Sequence, residues 1–198
     1  MTEGAYSRER VDDVLTKSKL PPSYRIIPRR YLETPLGAAP GDSRFCSKVD
    51  GFTILYASPD FATVFIETIV RDRFTRRNQR EVLLKEITDR AWTLIATKPR
   101  AKLSLLDLRK DGCVRLGAPT DTVNARNHAA GRTLGRAIYS QHEDIDGLLF
   151  SSRLTGSDVY AVFDRGIKRL DATQTGMLPE HSELADVLST YSVKLIAT

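Results

Sequence analysis

Short apolar phrases bounded by turn residues recur along this chain, interleaved with helical stretches in no regular order. Y-R-I-I-P, G-F-T-I-L-Y-A-S, W-T-L-I-A-T, K-L-S-L-L-D-L, D-G-L-L-F-S-S and D-V-Y-A-V-F-D each have the length and composition of a strand. Helices are expected after Ser58, around A-A-G-R-T-L-G-R-A-I-Y and near Ser182 to Leu188. A doubly wound parallel sheet would require strands and helices to alternate regularly. That alternation is missing, so the pattern predicts an α+β fold. With 198 residues, 41% hydrophobic and 28% charged, the chain suits one domain with a proper core.

Local signals sharpen this outline. Residues 1 to about 20 read as a short polar helix or frayed arm, ended by Pro21-Pro22. From Arg29 to about Lys48 runs a loop rich in Pro, Gly and Ala. Loops of that length inside a domain are lids or binding loops, or else disordered. Ser58 is placed to N-cap a helix from Pro59 to about Arg71, with Pro59 in its first turn and Asp60 complementing its dipole. W-T-L-I-A-T and K-L-S-L-L-D-L read as strands joined through Pro99-Arg100, and Y-S-V-K-L-I is a final apolar stretch.

Several function classes find no support. No stretch approaches the roughly 20 apolar residues that span a bilayer, and the polar start M-T-E-G-A-Y-S-R-E-R has no secretory apolar region. Cys46 and Cys113 match no zinc or redox spacing, and only three histidines are present. The expectation is a reduced, cytoplasmic protein without metal or prosthetic group. There is no G-x-G-x-x-G after a strand, no G-x-x-x-x-G-K-[ST] and no G-x-S-x-G. His128 and His142 fall in polar segments and are expected to be solvated. The net charge of +5 suits either an acidic partner or a polyphosphate ligand. The densest cluster, R-D-R-F-T-R-R-N-Q-R from Arg71 to Arg80, reads as a solvated helix end. Only Phe74 interleaves it, which makes direct nucleic-acid binding the less favoured reading.

Five side chains could carry chemistry, and each has a plain structural alternative. Glu67 interrupts the apolar run V-F-I-E-T-I-V. It either joins Thr63 and Arg71 in an exposed helical stripe, or faces a cleft where a carboxylate steadies an oxocarbenium-like charge. Arg25 and Arg44 either emerge on polar surfaces or grip an anion with their planar forks. Tyr56 is a core ring or a stacking surface. Ser152, with Ser151 beside it, follows an apolar strand and is either turn chemistry or a polar contact for a ligand.

Taken in order, the phrases S-Y-R-I-I-P, G-D-S-R-F, I-L-Y-A-S, F-I-E-T-I-V and L-L-F-S-S-R resemble the RES domain, from about Ser23 to Leu170. The resemblance implies a fold similar to the ADP-ribosyltransferase toxins, two small sheets flanked by helices around an NAD cleft. The resemblance covers a RES-like catalytic domain (23–170); the residues themselves give an arm or short helix before it (1–22) and a C-terminal helix and strand packed on the same domain (171–198), which match no recognised pattern. The resemblance also implies that NAD is a substrate whose nicotinamide–ribose bond is broken by hydrolysis or by phosphorolysis with inorganic phosphate. In some members NAD serves instead as donor for a protein target. Carried over by position, Arg25 and Arg44 would bind the phosphates or ribose, and Tyr56 would stack near nicotinamide. Glu67 would stabilise the ribosyl cation or orient the nucleophile, and Ser152 would position the leaving group. A helix-turn-helix antitoxin would be the partner. Two departures stand out: Asp42-Ser43 separate Gly41 from Arg44, and Ser151 competes with Ser152.

Overall fold

The computed structural model describes residues 6–197, so the first five residues of the expected arm lie outside the described residues. The chain opens with α1 (Arg8–Val14), β1 (Leu15–Ser18) and β2 (Ser23–Pro28). A long loop leads to β3 (Ile54–Ala57), then α2 (Phe61–Phe65), which continues without a break as a π turn over Ile66–Val70. β4 (Glu81–Leu83), α3 (Leu84–Thr88), β5 (Arg90–Thr97) and β6 (Leu103–Asp107) follow, then α4 (Gly112–Leu116), α5 (Asp121–Asn124) and α6 (Ala129–Gln141). The remainder is β7 (Gly147–Ser151), β8 (Asp158–Phe163), α7 (Asp164–Ile167), β9 (Leu170–Met177), α8 (Leu184–Thr190) and β10 (Lys194–Ile196). The result is an α+β domain, as the irregular order of strand and helix predicts.

Two sheets dominate: a five-stranded one, ordered β1-β6-β7-β8-β3, and a three-stranded one, ordered β2-β5-β9. Leu55, Ile95, Leu103, Leu105, Leu149 and Leu170 pack together in a buried cluster drawn from both sheets. On its other face the five-stranded sheet is covered by α1, α4 and α6, through Val11, Val14, Leu116, Leu134 and Ile138. Phe61, Phe65 and Ile69 pack with Leu184 and Val187 of α8 beside the three-stranded sheet. The expected polar arm is therefore built in. Val11 is fully buried, and β1 pairs antiparallel with β6 as the edge of the larger sheet.

W-T-L-I-A-T and K-L-S-L-L-D-L do form strands, but in different sheets. β5 pairs with β2 and β9, whereas β6 pairs with β1 and β7. The turn between them has Arg100 at φ 67, and Lys98 N–H donates to the Arg169 carbonyl, so the chain passes from one sheet to the other. No helix of the described residues is long and apolar enough to cross a membrane.

Candidate functional site

A cleft of about 330 Å³ opens where the two sheets meet. Its origin is a single bridge. Tyr24 N–H donates to the Ser58 carbonyl at 2.7 Å, and Ser58 N–H donates back to the Tyr24 carbonyl at 3.1 Å. That exchange ties the start of β2 to the end of β3, and so brings Arg25 and Tyr56 to one cavity. Period-two alternation completes the wall. Ile54 and Tyr56 face the cleft, while Leu55 between them points the other way into the inter-sheet core.

The long loop supplies Arg44, and its neighbours explain how it is held. Phe45 is fully buried against Phe150, with ring centroids 5.1 Å apart; burying such a ring contributes about 1.5–3 kcal/mol. The loop backbone lies directly on α6. A Cβ on Gly135 would stand 1.9 Å from the Phe45 carbonyl oxygen, and one on Gly131 would stand 2.4 Å from that of Arg44. Only glycine permits this approach. Arg44 Nη1 donates to the Ala125 carbonyl at 2.9 Å, and the rest of the side chain lines the cleft. Burial lowers the Arg44 pKa, opposed by the nearby Glu67 charge.

Tyr56 reads the same loop from below. Its hydroxyl lies 2.9 Å from Ser43 Oγ and accepts from Phe45 N–H at 3.3 Å. Burial pushes the phenol far above its ordinary range, so Tyr56 stays neutral and cannot act as a base near pH 7. What it offers a ligand is its ring. Arg25 is also already engaged: Nη1 donates to the Pro35 carbonyl at 2.7 Å and Nη2 to the Gly37 carbonyl at 2.8 Å. Burial pulls this guanidinium down to about 10, which leaves it a cation at neutral pH. Arg25 lines the cleft while latching the loop.

Glu67 departs furthest from its plain reading. The helix cap is Asp60, not Ser58: its carboxylate accepts from the N–H groups of Ala62 and Thr63. Ser58 Oγ instead donates to the Asp158 carbonyl. Thr63 is fully buried, so no exposed stripe exists. Arg71 N–H bonds the Ile66 carbonyl five residues back, the signature of a π turn, which breaks the register linking residues 67 and 71. Among the described residues the Arg71 side chain bonds only the Glu67 backbone carbonyl. The Glu67 carboxylate, half-buried in the cleft wall, accepts a hydrogen bond from Ser152 Oγ at 2.6 Å.

Ser152 stands behind Glu67. It is 3% exposed, and its Oγ also accepts from the N–H groups of Leu154 and Thr155 at 3.1 and 3.2 Å. Two backbone donors occupy its lone pairs, so its single proton goes to Glu67. Ser152 thus contacts the Glu67 carboxylate and is not among the residues that line the cleft. Ser151, on the opposite face of β7, lines a separate cavity with Asp107, Arg109 and Asp158.

Other groups in the cleft were not assigned to it from the sequence. Arg71, Arg153, Asp42, Asp72 and His128 all line it. His128 is half-buried rather than solvated. Burial, then the charges of Arg44, Arg132 and Arg71, lower its pKa, so the ring is neutral at pH 7. His142 is buried too, with Nε2 3.1 Å from the Tyr6 carbonyl oxygen. Position in a polar segment misled for both, because α6 carries its two ends back onto the protein. Arg153 belongs to the phrase L-L-F-S-S-R, where it served only to place the serine; nothing in the sequence marks His128.

In this α+β domain the inter-sheet cleft gathers four arginines, Arg25, Arg44, Arg71 and Arg153, with one glutamate that a serine holds. Comparison with known proteins is specific. The RES domain model matches residues 22–180, and the chain belongs to the RES-domain family. The match continues about ten residues past the recognisable phrases, to the end of β9 and the short turn after it. One relative is "Probable toxin y4kH" of Sinorhizobium fredii, 36% identical over 95 residues, which are 48% of this chain and 75% of that protein. The fold is similar to that in the crystal structure of the M. tuberculosis MbcT-MbcA toxin-antitoxin complex. There the TM-score is 0.62 at 16% identity, covering 85% of this chain and 89% of the other.

Proposed function

We propose that this protein is an NAD-consuming toxin that cleaves the nicotinamide–ribose bond by hydrolysis or phosphorolysis and is neutralised by a cognate antitoxin protein. The observation that carries the reading is the Glu67 carboxylate, fixed by Ser152 at 2.6 Å on the wall of an arginine-lined cleft. In NAD the leaving nitrogen belongs to a pyridinium. When the C–N bond breaks, its electron pair returns to that ring, and nicotinamide departs neutral without needing a proton. An O-glycoside needs a second carboxyl group as acid; this bond does not. What the step does need is an anion beside the developing ribosyl cation, which Glu67 supplies. Tyr56, neutral and buried at its hydroxyl, offers a ring face to the nicotinamide. Arginines on the cleft walls suit the pyrophosphate. Water or phosphate then adds to the anomeric carbon and releases its proton.

Family membership and the toxin named among the relatives support the biological half of the reading. The complex in which a similar fold was solved supports an antitoxin partner. Purified protein is incubated with NAD, with and without phosphate. Loss of NAD is expected, with ADP-ribose as the product of hydrolysis and a phosphorylated ADP-ribose as that of phosphorolysis. Glu67→Gln is expected to lower kcat by about 10²–10³-fold, the scale for losing one preorganised electrostatic group, with the melting temperature close to that of the parent. Intact NAD in both buffers would overturn the proposal.

A further inference from the structure

Three rungs tie α2 and its π turn to the segment between β7 and β8. Thr63 Oγ1 lies 2.7 Å from Thr155 Oγ1, Ser152 Oγ donates to Glu67 Oε1 at 2.6 Å, and Arg153 Nη2 donates to Asp72 Oδ2 at 2.7 Å. Their spacing along the first element is four residues, then five. In an unbroken α-helix the third rung would fall on residue 71, since i and i+4 share a face. That residue is an arginine, and it would oppose Arg153 with like charge. The π turn inserts one extra residue into the register. Asp72 therefore takes the third position, while Arg71 turns back to the Glu67 carbonyl.

Arg153 is consequently held at the cleft wall with most of its hydrogen-bonding capacity unused. Among the described residues its guanidinium makes one hydrogen bond, to Asp72, and its buried Nε has no partner. Asp72 is shared with Arg126, 3.5 Å away, so one carboxylate faces two cations. Arg44 lines the same cleft close enough for the Arg153 charge to be felt there. Asp72 is the carboxylate whose charge both Arg153 and Arg44 feel, and of these two it bonds only Arg153. One carboxylate does not neutralise two neighbouring guanidinium groups, and a bridging anion would relieve the repulsion that remains. Arg25, in contrast, already gives both terminal nitrogens to loop carbonyls.

We propose that Arg153 is a substrate-binding residue that grips the pyrophosphate of a dinucleotide together with Arg44, and that Asp72 is the positioning residue that aims it. The assignment rests on the NAD reading above and names its anion grip. The π turn is then the device that puts a carboxylate, rather than a cation, behind Arg153.

ADP-ribose tests this, because it keeps the pyrophosphate and lacks the scissile bond. Its affinity for the full chain is measured by titration calorimetry, alongside melting temperatures and NAD kinetics. Arg153→Ala is expected to weaken ADP-ribose at least about 10-fold, equal to 1.4 kcal/mol. Arg153→Lys should recover part of that loss, since it keeps the charge without the planar fork. Asp72→Asn should raise KM for NAD about 3- to 10-fold, less than the full loss of the cation, and leave kcat within about twofold, because it acts on binding alone. If Arg153→Ala does not fold, Arg153→Lys carries the test through its own weakened affinity. A parent chain that binds no ADP-ribose would sink the dinucleotide reading and this assignment with it. A parent that binds, with Arg153 variants of equal affinity, would sink the assignment alone. Unchanged KM in Asp72→Asn would remove the positioning role.

Discussion

Ser152→Ala separates the two roles available to this serine. The substitution deletes the 2.6 Å hydrogen bond to Glu67 Oε1 and the acceptor for two backbone N–H groups, in a side chain only 3% exposed. A hydrogen bond to a charged group contributes about 1.5–3 kcal/mol. If that energy holds the carboxylate in its productive rotamer, its loss lowers kcat by about 10- to 150-fold, at 1.36 kcal/mol per decade. KM should hardly move, because Ser152 does not line the cleft. The two stranded N–H groups cost stability separately, about 1 kcal/mol or more each if water does not reach them, which a melting curve reads. The decisive assay is a double-mutant cycle on NAD turnover with Glu67→Gln. A serine that works only through the carboxylate adds nothing once the charge is gone, so the double variant should match Glu67→Gln alone. Additive losses, or a raised KM with kcat intact, would refute the argument and return Ser152 to direct contact with the substrate.

Two further outcomes follow from packing and from titration. Gly135→Ala forces a Cβ into the Phe45 carbonyl, 1.9 Å away in the present backbone. It should cost about 1–3 kcal/mol of stability and raise KM as the loop carrying Arg44 shifts; unaltered melting and kinetics would show that loop and helix are not in rigid contact. His181 is buried and stacked on Phe61 with ring centroids 3.6 Å apart, and burial lowers its pKa below 6.5. The unfolded chain therefore takes up this proton first as pH falls, so the stability tied to it is complete above about pH 6.5 and is lost as pH drops through the folded-state value. The melting temperature should decline from pH 7 to pH 5, less steeply in His181→Phe; identical slopes would refute the assignment.

Much of the site was legible because the chemistry demanded unusual residues in otherwise apolar places. Arg25 in a strand, Glu67 in an apolar helix and Arg44 before an aromatic ring all stand out, and the cleft contains all three. Less was legible where a signal has two physical solutions. Ser58 and Asp60 both suit an N-cap, and the carboxylate took it while the Ser58 hydroxyl donates to the Asp158 carbonyl. β9 escaped notice because D-A-T-Q-T-G-M is exposed along most of its length and shows no apolar alternation. Its place comes from pairing with β5.

The sequence by itself determined the fold class and the inventory: strands and helices in irregular order, a small excess of cations, one carboxylate in an apolar helix, and an aromatic ring behind Arg44. Local periodicity and residue chemistry suffice for that. Only the tertiary structure decided which groups work together. The Glu67 to Arg71 spacing predicts an exposed ion pair in any regular helix, and nothing local announces that the helix will widen by one residue. The π turn is stable because Ser152, Thr155 and Arg153 meet it from a segment some eighty to ninety residues away in sequence. Contacts of that range turn the carboxylate from a surface partner of Arg71 into an acid held by a serine in an arginine-lined cleft.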